Sequence, residues 1–369
     1  MSLNPKTQQG RARTDSPGRS GLTRRALTRS LAALPLMLLG CASAETGLAG
    51  RPYHHTASGF RNPPGSPGRH ADFGDWAGFF LRRLGGAPEV ALPDGHVLAA
   101  TAVQAGLDGQ NGADSLTWLG HASFLIRLDG RTVLTDPYLT DYASPLAPFG
   151  PKRFAPPALR PEELPPIDLI LLSHNHYDHL DLATIAALPG KARVQVVAPL
   201  RLGRYFSERG YPNVRELDWY QRTVVHGLEL TALPAIHFSR RTLFDRNQTL
   251  WTGYAIQSRR RRIHFAGDTA YGPVFGEMAA ALDRFDLALL PIGAYEPRAL
   301  MQASHTTPEE AVQIARELRA ERIVGMHWGA IALTDEPPFE PPERFRRAAA
   351  AGWRDEAAWV MRIGETRRI

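Results

Sequence analysis

The chain has 369 residues, of which 43% are apolar, so it can bury a large core. Its length alone permits one large domain or two smaller ones. The formal net charge of +6 is concentrated in residues 1–44, which carry seven basic side chains and one acidic side chain. The rest of the chain holds 36 basic and 36 acidic residues, and this balance argues against nucleic acid as a partner.

The first 44 residues have the order of an export signal. Arg24 and Arg25, which resemble a twin-arginine signal, precede an apolar stretch over residues 31–39. This stretch is too short to cross a bilayer as a helix, which takes about 20 residues. Two processing routes stay open, namely lipidation of Cys41 in a lipoprotein box and cleavage after Ala44. We expect an exported protein, periplasmic or anchored as a lipoprotein, in a Gram-negative-type envelope.

Residues 45–75 are rich in Pro and Gly and predict a flexible arm, and residues 76–369 predict the catalytic domain. Short apolar runs predict buried strands in this domain. These runs cover residues 116–128, 131–135, 167–172, 194–198, 228–235, 253–257, 263–266, 287–291 and 322–326. Asp129 and Gly130, between the first two runs, predict a two-residue hairpin turn. Thr307, Pro308 and Glu310 form a capping-box pattern that predicts a helix start. Strands in this number with helices between them indicate an α/β protein of two packed sheets covered by helices.

One run of metal-ligating residue types follows the predicted strand 167–172 directly. It contains His174, His176, Asp178 and His179. Because residues two apart on an extended chain face the same way, His174 and His176 can bind one ion together. Asp178 and His179 come after the turn, where the chain can direct them toward a second ion.

Three other predicted strands also end in ligand types, at His237, Asp268 and His327. Open α/β architectures place their sites beyond the carboxyl ends of strands, so we expect these side chains to converge. The predicted first ion is held by His174, His176 and His237, and the second by Asp178, His179 and His327, with Asp268 bridging the two. Imidazole and carboxylate ligands without thiolate favour two zinc ions, although iron or manganese would tolerate the same set.

A two-metal site of this kind activates water for attack on phosphorus or on a carbonyl carbon. Asp268, as the bridging ligand, and Asp178, as a proton carrier, are therefore candidate catalytic residues as well as ligands.

Four segments resemble the branch of the metallo-β-lactamase superfamily that hydrolyses N-acyl-phosphatidylethanolamine as a phospholipase D. They are residues 117–123 (TWLGHAS), 174–179 (HNHYDH), 267–269 (GDT) and 326–329 (MHWG). The resemblance implies an αββα sandwich with two mixed β-sheets flanked by helices, a dinuclear zinc site and hydrolysis of a phosphodiester in a lipid head group. It also implies that Asp136 accepts a hydrogen bond from a ligand imidazole. His305 is a candidate catalytic residue on the same basis, the alternative being a surface position at a helix start.

The export signal and the arm place this chain in a different setting, so the lipid substrate does not transfer automatically from the family. A zinc-dependent lactonase or amidase of the same fold and a non-catalytic, metal-binding envelope lipoprotein remain alternatives. A phospholipid substrate would entail peripheral contact with a membrane. The sequence leaves the oligomeric state open.

The other histidines and a basic run have simpler interpretations. We expect His121 to bond backbone within the first hairpin, with substrate contact as the alternative, and His264 to pack in the sheet. We expect five further histidines to be solvated, namely His54, His55, His70, His96 and His226. Residues 259–262, all arginine, are interpreted as a solvated hairpin turn, the alternative being contact with anionic lipid head groups at a membrane surface.

Overall fold

The chain is described from a computed structural model over residues 50–84, 89–110 and 112–369. The predicted export signal, Cys41 and Ala44 lie outside these residues. Within the described ranges the helices are α1 (Phe73–Leu84), α2 (Ala100–Gly109), α3 (Leu182–Ala187), α4 (Gly203–Ser207), α5 (Val274–Ala281), α6 (Arg298–Met301), α7 (Pro308–Glu317) and α8 (Glu340–Gly352). None of these helices is both long enough and apolar enough to cross a membrane.

Two seven-stranded mixed sheets form the centre of the fold. The first contains β1 (Ser115–Gly120), β2 (Ser123–Leu128), β3 (Arg131–Thr135), β4 (Leu169–Leu171), β5 (Gln195–Pro199), β6 (Asn213–Leu217) and β14 (Thr366–Arg368), in the order β14-β1-β2-β3-β4-β5-β6. The second contains β7 (Arg222–Val225), β8 (Leu228–Leu233), β9 (Gly253–Gln257), β10 (Arg262–Phe265), β11 (Leu287–Pro291), β12 (Arg322–Met326) and β13 (Ala358–Trp359). Its order is β13-β12-β11-β10-β9-β8-β7.

Each sheet has antiparallel strand pairs on one side and parallel strand pairs on the other. In the first sheet β3, β4, β5 and β6 are parallel, and in the second sheet β10, β11, β12 and β13 are parallel. Most side chains of the parallel strands are buried in one apolar core that spans the two sheets. This arrangement confirms the predicted αββα sandwich and places the carboxyl ends of β4, β10 and β12 at sheet edges where loops can meet.

Of the first two hairpins, β2–β3 agrees with the sequence prediction and β1–β2 does not. Asp129 and Gly130 connect β2 to β3 with φ of +48° and +75°, which confirms the predicted two-residue turn. The predicted single run over residues 116–128 is wrong, because the chain reverses between β1 and β2. Gly120 and His121 make that reversal with φ of +106° and +56°. Gly120, His121 and Ser123 at the reversal are all buried, so burial does not distinguish this turn from the strands on either side.

Helix α7 begins as predicted. The Thr307 hydroxyl accepts a hydrogen bond from the backbone N–H of Glu310 (3.2 Å), and the Glu310 carboxylate accepts one from the N–H of Thr307 (2.8 Å). The reciprocal pair confirms the capping box. By contrast, the sequence did not predict β6, β7, β13 and β14. These strands carry exposed or half-buried side chains and lack the continuous apolar pattern of a buried strand.

Candidate metal centre

The seven predicted ligands come together at the carboxyl ends of four strands. The loop after β4 carries His174, His176, Asp178 and His179, while His237 follows β8, Asp268 follows β10 and His327 follows β12. The side chain of Asp268 lies at the centre. Its Oδ2 is close to one nitrogen of each of four ligand imidazoles, namely His327 Nε2 (3.1 Å), His179 Nε2 (3.2 Å), His237 Nε2 (3.7 Å) and His174 Nε2 (3.9 Å).

The predicted ligands lie in two groups, and the carboxylate of Asp268 lies close to histidines of both. In the first group, His176 Nδ1 lies 2.8 Å from His174 Nε2 and 3.2 Å from His237 Nε2. In the second group, Asp178 Oδ2 lies 3.5 Å from His179 Nε2 and 3.5 Å from His327 Nε2. The two groups therefore offer adjacent positions for two ions with the carboxylate of Asp268 between them.

Several atoms of this cluster are buried without a hydrogen-bond partner among the described residues. They include Nε2 of His179, Nε2 of His327 and Oδ1 of Asp268. Unpaired polar atoms are costly in a protein interior, and three of them directed at one point indicate a missing partner. Nitrogen and carboxylate donors in this geometry suit divalent cations, so the residues present fit the predicted ions.

Burial and neighbouring charges favour neutral imidazoles at some of the predicted ligands and protonated imidazoles at others. Burial lowers the pKa of His174 and His237 well below the ordinary value and lowers that of His176 to about 4, so these imidazoles are neutral. Burial opposes ionisation of Asp268, but the nearby histidines hold its pKa well below the ordinary value. For His327, burial acts to lower the pKa, and Asp268 and Asp178 outweigh it and raise the pKa to about 9. A cation would replace that proton, since metal binding displaces protons from its ligands.

A shell of hydrogen bonds orients the ligands. Asp136 Oδ2 accepts from His179 Nδ1 (2.7 Å), which agrees with the role that the resemblance implies for Asp136. The same carboxylate accepts from the backbone N–H and the hydroxyl of Ser173, directly before the ligand run. His237 Nδ1 donates to the carbonyl of Ser304 (2.8 Å). Such contacts fix the ring that faces the metal.

His121 contacts the centre more closely than the sequence indicated. Its Nε2 donates to Asp178 Oδ2 (2.8 Å), and its backbone carbonyl accepts from the N–H of His327 (3.1 Å). His121 thus forms hydrogen bonds with two residues of the second group, both of which lie outside its own hairpin. The only local signal was a histidine at the strand reversal, and that signal says nothing about a partner 57 residues away.

Of the remaining histidines, one lies at the site and the others lie elsewhere in the fold. His305 lies at the site, with Nδ1 4.0 Å from Asp268 Oδ2, and its side chain is only 12% exposed. His264 packs within β10 as predicted. The predicted solvation of His54 and His96 is wrong, because both are buried, His54 against Asp218 and His96 against the carbonyl of Gly329. His55, also predicted to be solvated, is half-buried against Asp218.

A cavity of about 870 Å³ opens above the cluster. At its base lie His176, Asp178, Asp268 and His305. One wall is apolar and is formed by Trp76, Phe79 and Phe80 of α1, by Phe238 and by Leu300 and Met301 of α6. Arg69, Arg240 and Arg246 also line the cavity, and among the described residues none of these three guanidinium groups pairs with a carboxylate. The cavity thus combines apolar and cationic surface next to the candidate ion positions.

Comparison with known proteins shows which protein family this chain matches. Residues 131–328 match the family described as "Beta-lactamase superfamily domain". An uncharacterized protein of Mycobacterium tuberculosis is 40% identical over 240 residues, which are 64% of this chain and 64% of that relative. The matched part of the chain therefore spans less than two thirds of the mycobacterial protein.

Two further relatives have descriptive names. N-acyl-phosphatidylethanolamine-hydrolyzing phospholipase D 1 of Caenorhabditis elegans is 38% identical over 242 residues, covering 62% of this chain and 68% of the relative. A metal-dependent hydrolase of Methanopyrus kandleri is 30% identical over 257 residues, covering 68% of this chain and 98% of the relative. Among solved structures, the isothiocyanate hydrolase from Delia radicum gut bacteria shares the fold, with a TM-score of 0.57 at 20% identity over 69% of this chain and 99% of that one.

Removal of divalent metal is expected to lower the thermal stability of the protein. An ion that binds only the folded chain stabilises it by about 2.7 kcal/mol at a free concentration 100-fold above its Kd. We therefore expect metal analysis to find two ions per chain, and calorimetry to show a lower Tm after chelation that is restored by zinc. His174→Ala should reduce the shift, while His226→Ala, at an exposed turn, should leave it unchanged. A Tm that does not respond to metal in the wild-type chain would contradict the assignment.

Proposed function

The chain belongs to the beta-lactamase superfamily, and from this premise we propose that it is a zinc-dependent hydrolase with a dinuclear site, a phosphodiesterase of the phospholipase D type acting on N-acyl-phosphatidylethanolamine-like lipids. The observation that supports this substrate best is the position of the ligand cluster at the base of a cavity with an apolar wall and unpaired arginines. A lipid phosphodiester combines an anionic group with long acyl chains, and the cavity offers a surface for each.

The ligand set assigns a role to each residue. His174, His176 and His237 would hold the first ion, Asp178, His179 and His327 would hold the second, and Asp268 would contribute to both. Ions held there would supply Lewis-acid chemistry, namely activation of water and neutralisation of negative charge on the phosphate. In hydrolysis the water oxygen forms a bond to phosphorus, the bond from phosphorus to the head-group oxygen breaks, and the departing alkoxide takes up a proton.

His305 is proposed to bind the substrate phosphate. Its Nδ1 is buried without a hydrogen-bond partner among the described residues and lies at the base of the cavity. Burial lowers its pKa to about 4, so the ring is neutral at neutral pH and can donate one hydrogen bond. Asp178 is assigned mainly as a metal ligand. Its Oδ2 already accepts a hydrogen bond from His121, and this leaves less scope for a role in proton transfer.

A substrate panel separates the lipid from the alternatives. We expect the zinc-loaded protein to cleave N-acyl-phosphatidylethanolamine and a small soluble phosphodiester, and Asp268→Asn to cleave neither. Met301→Trp narrows the apolar wall, so it should lower kcat/KM for the long-chain lipid by about tenfold or more while sparing the small diester. Val224→Trp, on the exposed face of β7, serves as the matched control. Turnover of lactones or amides alone would overturn the lipid assignment, and a loaded but inert protein would support a metal-binding lipoprotein.

Peripheral contact with a membrane follows from this proposal, because the substrate resides in a bilayer. Helix α1 exposes Phe73 (88%) and Phe80 (58%), and the loop after β8 exposes Leu243 (76%) and Phe244 (87%). Phe80 and Leu243 also line the cavity. Exposed apolar side chains grouped at a cavity are typical of an interaction surface.

Vesicle binding tests this contact. The double variant Phe73→Ser, Phe244→Ser should co-sediment less with vesicles of phosphatidylethanolamine and phosphatidylglycerol than the wild-type chain does. Tyr220→Ser, Val224→Ser removes exposed apolar side chains outside the cavity lining and should bind as the wild type does. Equal binding by all three proteins would contradict the proposed membrane surface.

The export signal over residues 1–44 is the basis for proposing an envelope location. Cell fractionation with a Cys41→Ala variant checks this. Release of the variant from the membrane fraction into the periplasm is expected if Cys41 is lipidated, and recovery of the wild-type chain in the cytoplasm would contradict export.

A further inference from the structure

We propose that residues 53–69, here called the strap, form part of the metal centre, and that Asn62 is the residue through which the strap positions the ligand His237. This segment lies within the stretch that the sequence predicted to be a flexible arm. The inference concerns the ion site alone and does not depend on the lipid substrate.

The contact between Asn62 and His237 is direct. The Asn62 side-chain oxygen accepts a hydrogen bond from the backbone N–H of His237 (2.9 Å). The same oxygen accepts a second one from the indole Nε1 of Trp251 (3.0 Å), which is 1% exposed. Trp251 Nε1 also donates to the carbonyl of Ala235 (2.9 Å), two residues before the ligand. One amide oxygen therefore connects the loop that carries His237 to a buried tryptophan.

The strap is anchored upstream of Asn62. His54 Nε2 lies 2.5 Å from one carboxylate oxygen of Asp218, and His55 Nε2 lies 2.6 Å from the other. Phe60 is 3% exposed and packs in a small cluster with Trp219 and Trp251. These contacts hold the strap against the loops that carry Asp218 and Trp251 and give Asn62 a defined position.

One glycine shows how closely the strap approaches the domain. A Cβ added at Gly59 would lie 2.0 Å from the carbonyl oxygen of Asn247, so no larger residue fits this position without movement of the backbone. The N–H of Phe60 donates to that same carbonyl (2.8 Å). The strap is thus joined to the domain by backbone contact as well as by side chains.

Downstream of Asn62 the strap crosses the loop that carries the shared ligand Asp268. A Cβ built at Gly272 in this loop would lie 3.8 Å from both the carbonyl oxygen of Gly65 and the ring of Pro67. The strap then places Arg69 in the cavity lining, over the ring of Phe238, before α1 begins. The strap therefore contacts the loop of His237 and passes beside the loop of Asp268.

The backbone N–H of His237 needs a hydrogen-bond acceptor from outside its own strand. His237 is 1% exposed and follows β8 by four residues, outside the ladder that satisfies strand N–H groups. Its ring is oriented by Ser304 through Nδ1, but the backbone N–H is satisfied by Asn62. Without that acceptor, a buried N–H would lose its partner, and the loop would gain freedom to move the ligand away.

Asn62→Ala and Asn62→Asp, made in the full chain, test the proposal. Aspartate keeps an oxygen in the accepting position and alanine does not. Loss of an outer-shell partner typically weakens metal binding by 10–100-fold, and we expect a loss of about this size at the first ion for Asn62→Ala. Asn62→Asp should stay within about threefold of the wild type. Asn213→Ala, which removes an amide that bonds the carbonyl of Ala192, is the matched control and should behave as the wild type.

Two measurements read out the ion site without substrate. Competition with a chromophoric chelator gives the affinity of each ion, and titration with Co²⁺ gives the visible spectrum of the first site. Asn62→Ala should lose affinity at the first ion and change the Co²⁺ spectrum, with the second ion retained. Wild-type affinity and an unchanged spectrum in folded Asn62→Ala would overturn the proposal, as would an equal loss in Asn62→Asp. If Asn62→Ala does not fold, Asn62→Ser, whose shorter hydroxyl cannot reach both donors, is judged by the same criteria.

Discussion

The carboxylate of Asp268 is the point on which the rest of the site depends. It is 3% exposed, and Nε2 atoms of four ligand histidines lie within 4.0 Å of its Oδ2. A buried carboxylate is stable only with charge or hydrogen-bond compensation, and its Oδ1 has no partner among the described residues. A bound cation would supply that compensation and would displace the protons that the carboxylates otherwise favour on the neighbouring imidazoles.

The loops around Asp268 reverse direction abruptly. Asp136, His121 and His327 adopt φ of +31°, +56° and +62°, in the left-handed region that L-residues rarely occupy. At Gly267, directly before Asp268, φ is +59° and an added Cβ would lie 2.5 Å from the Cβ of Ser173. Strained backbone persists where surrounding contacts over-determine it, and Asp136 provides such contacts by accepting from both Ser173 and His179. The energetic cost of these backbone conformations therefore falls on the loops that orient the ligands.

The cavity and the ion site share one stretch of chain. The strap contacts the loop of His237, passes beside the loop of Asp268 and continues into α1, whose Trp76, Phe79 and Phe80 form part of the apolar wall. A segment that holds a ligand in place therefore also shapes the space above it. This continuity gives a physical reason why a Pro- and Gly-rich stretch lies in contact with the domain, since close backbone approach requires small residues and fixed turns.

Local pattern was sufficient for the ligand types, for the αββα fold through the likeness of four short motifs, for the turn at Asp129-Gly130 and for the cap at Thr307. These features depend on residues a few positions apart, so the sequence by itself determined them. Tertiary structure alone decided that His121 bonds Asp178, that Asn62 bonds His237 across 175 residues and that an apolar wall lies beside the ligands. Such contacts join a side chain to a partner far away in the chain, often through its backbone, and backbone groups are identical at nearly every residue. No periodicity or spacing can therefore encode them, and they exist only once the two sheets have packed.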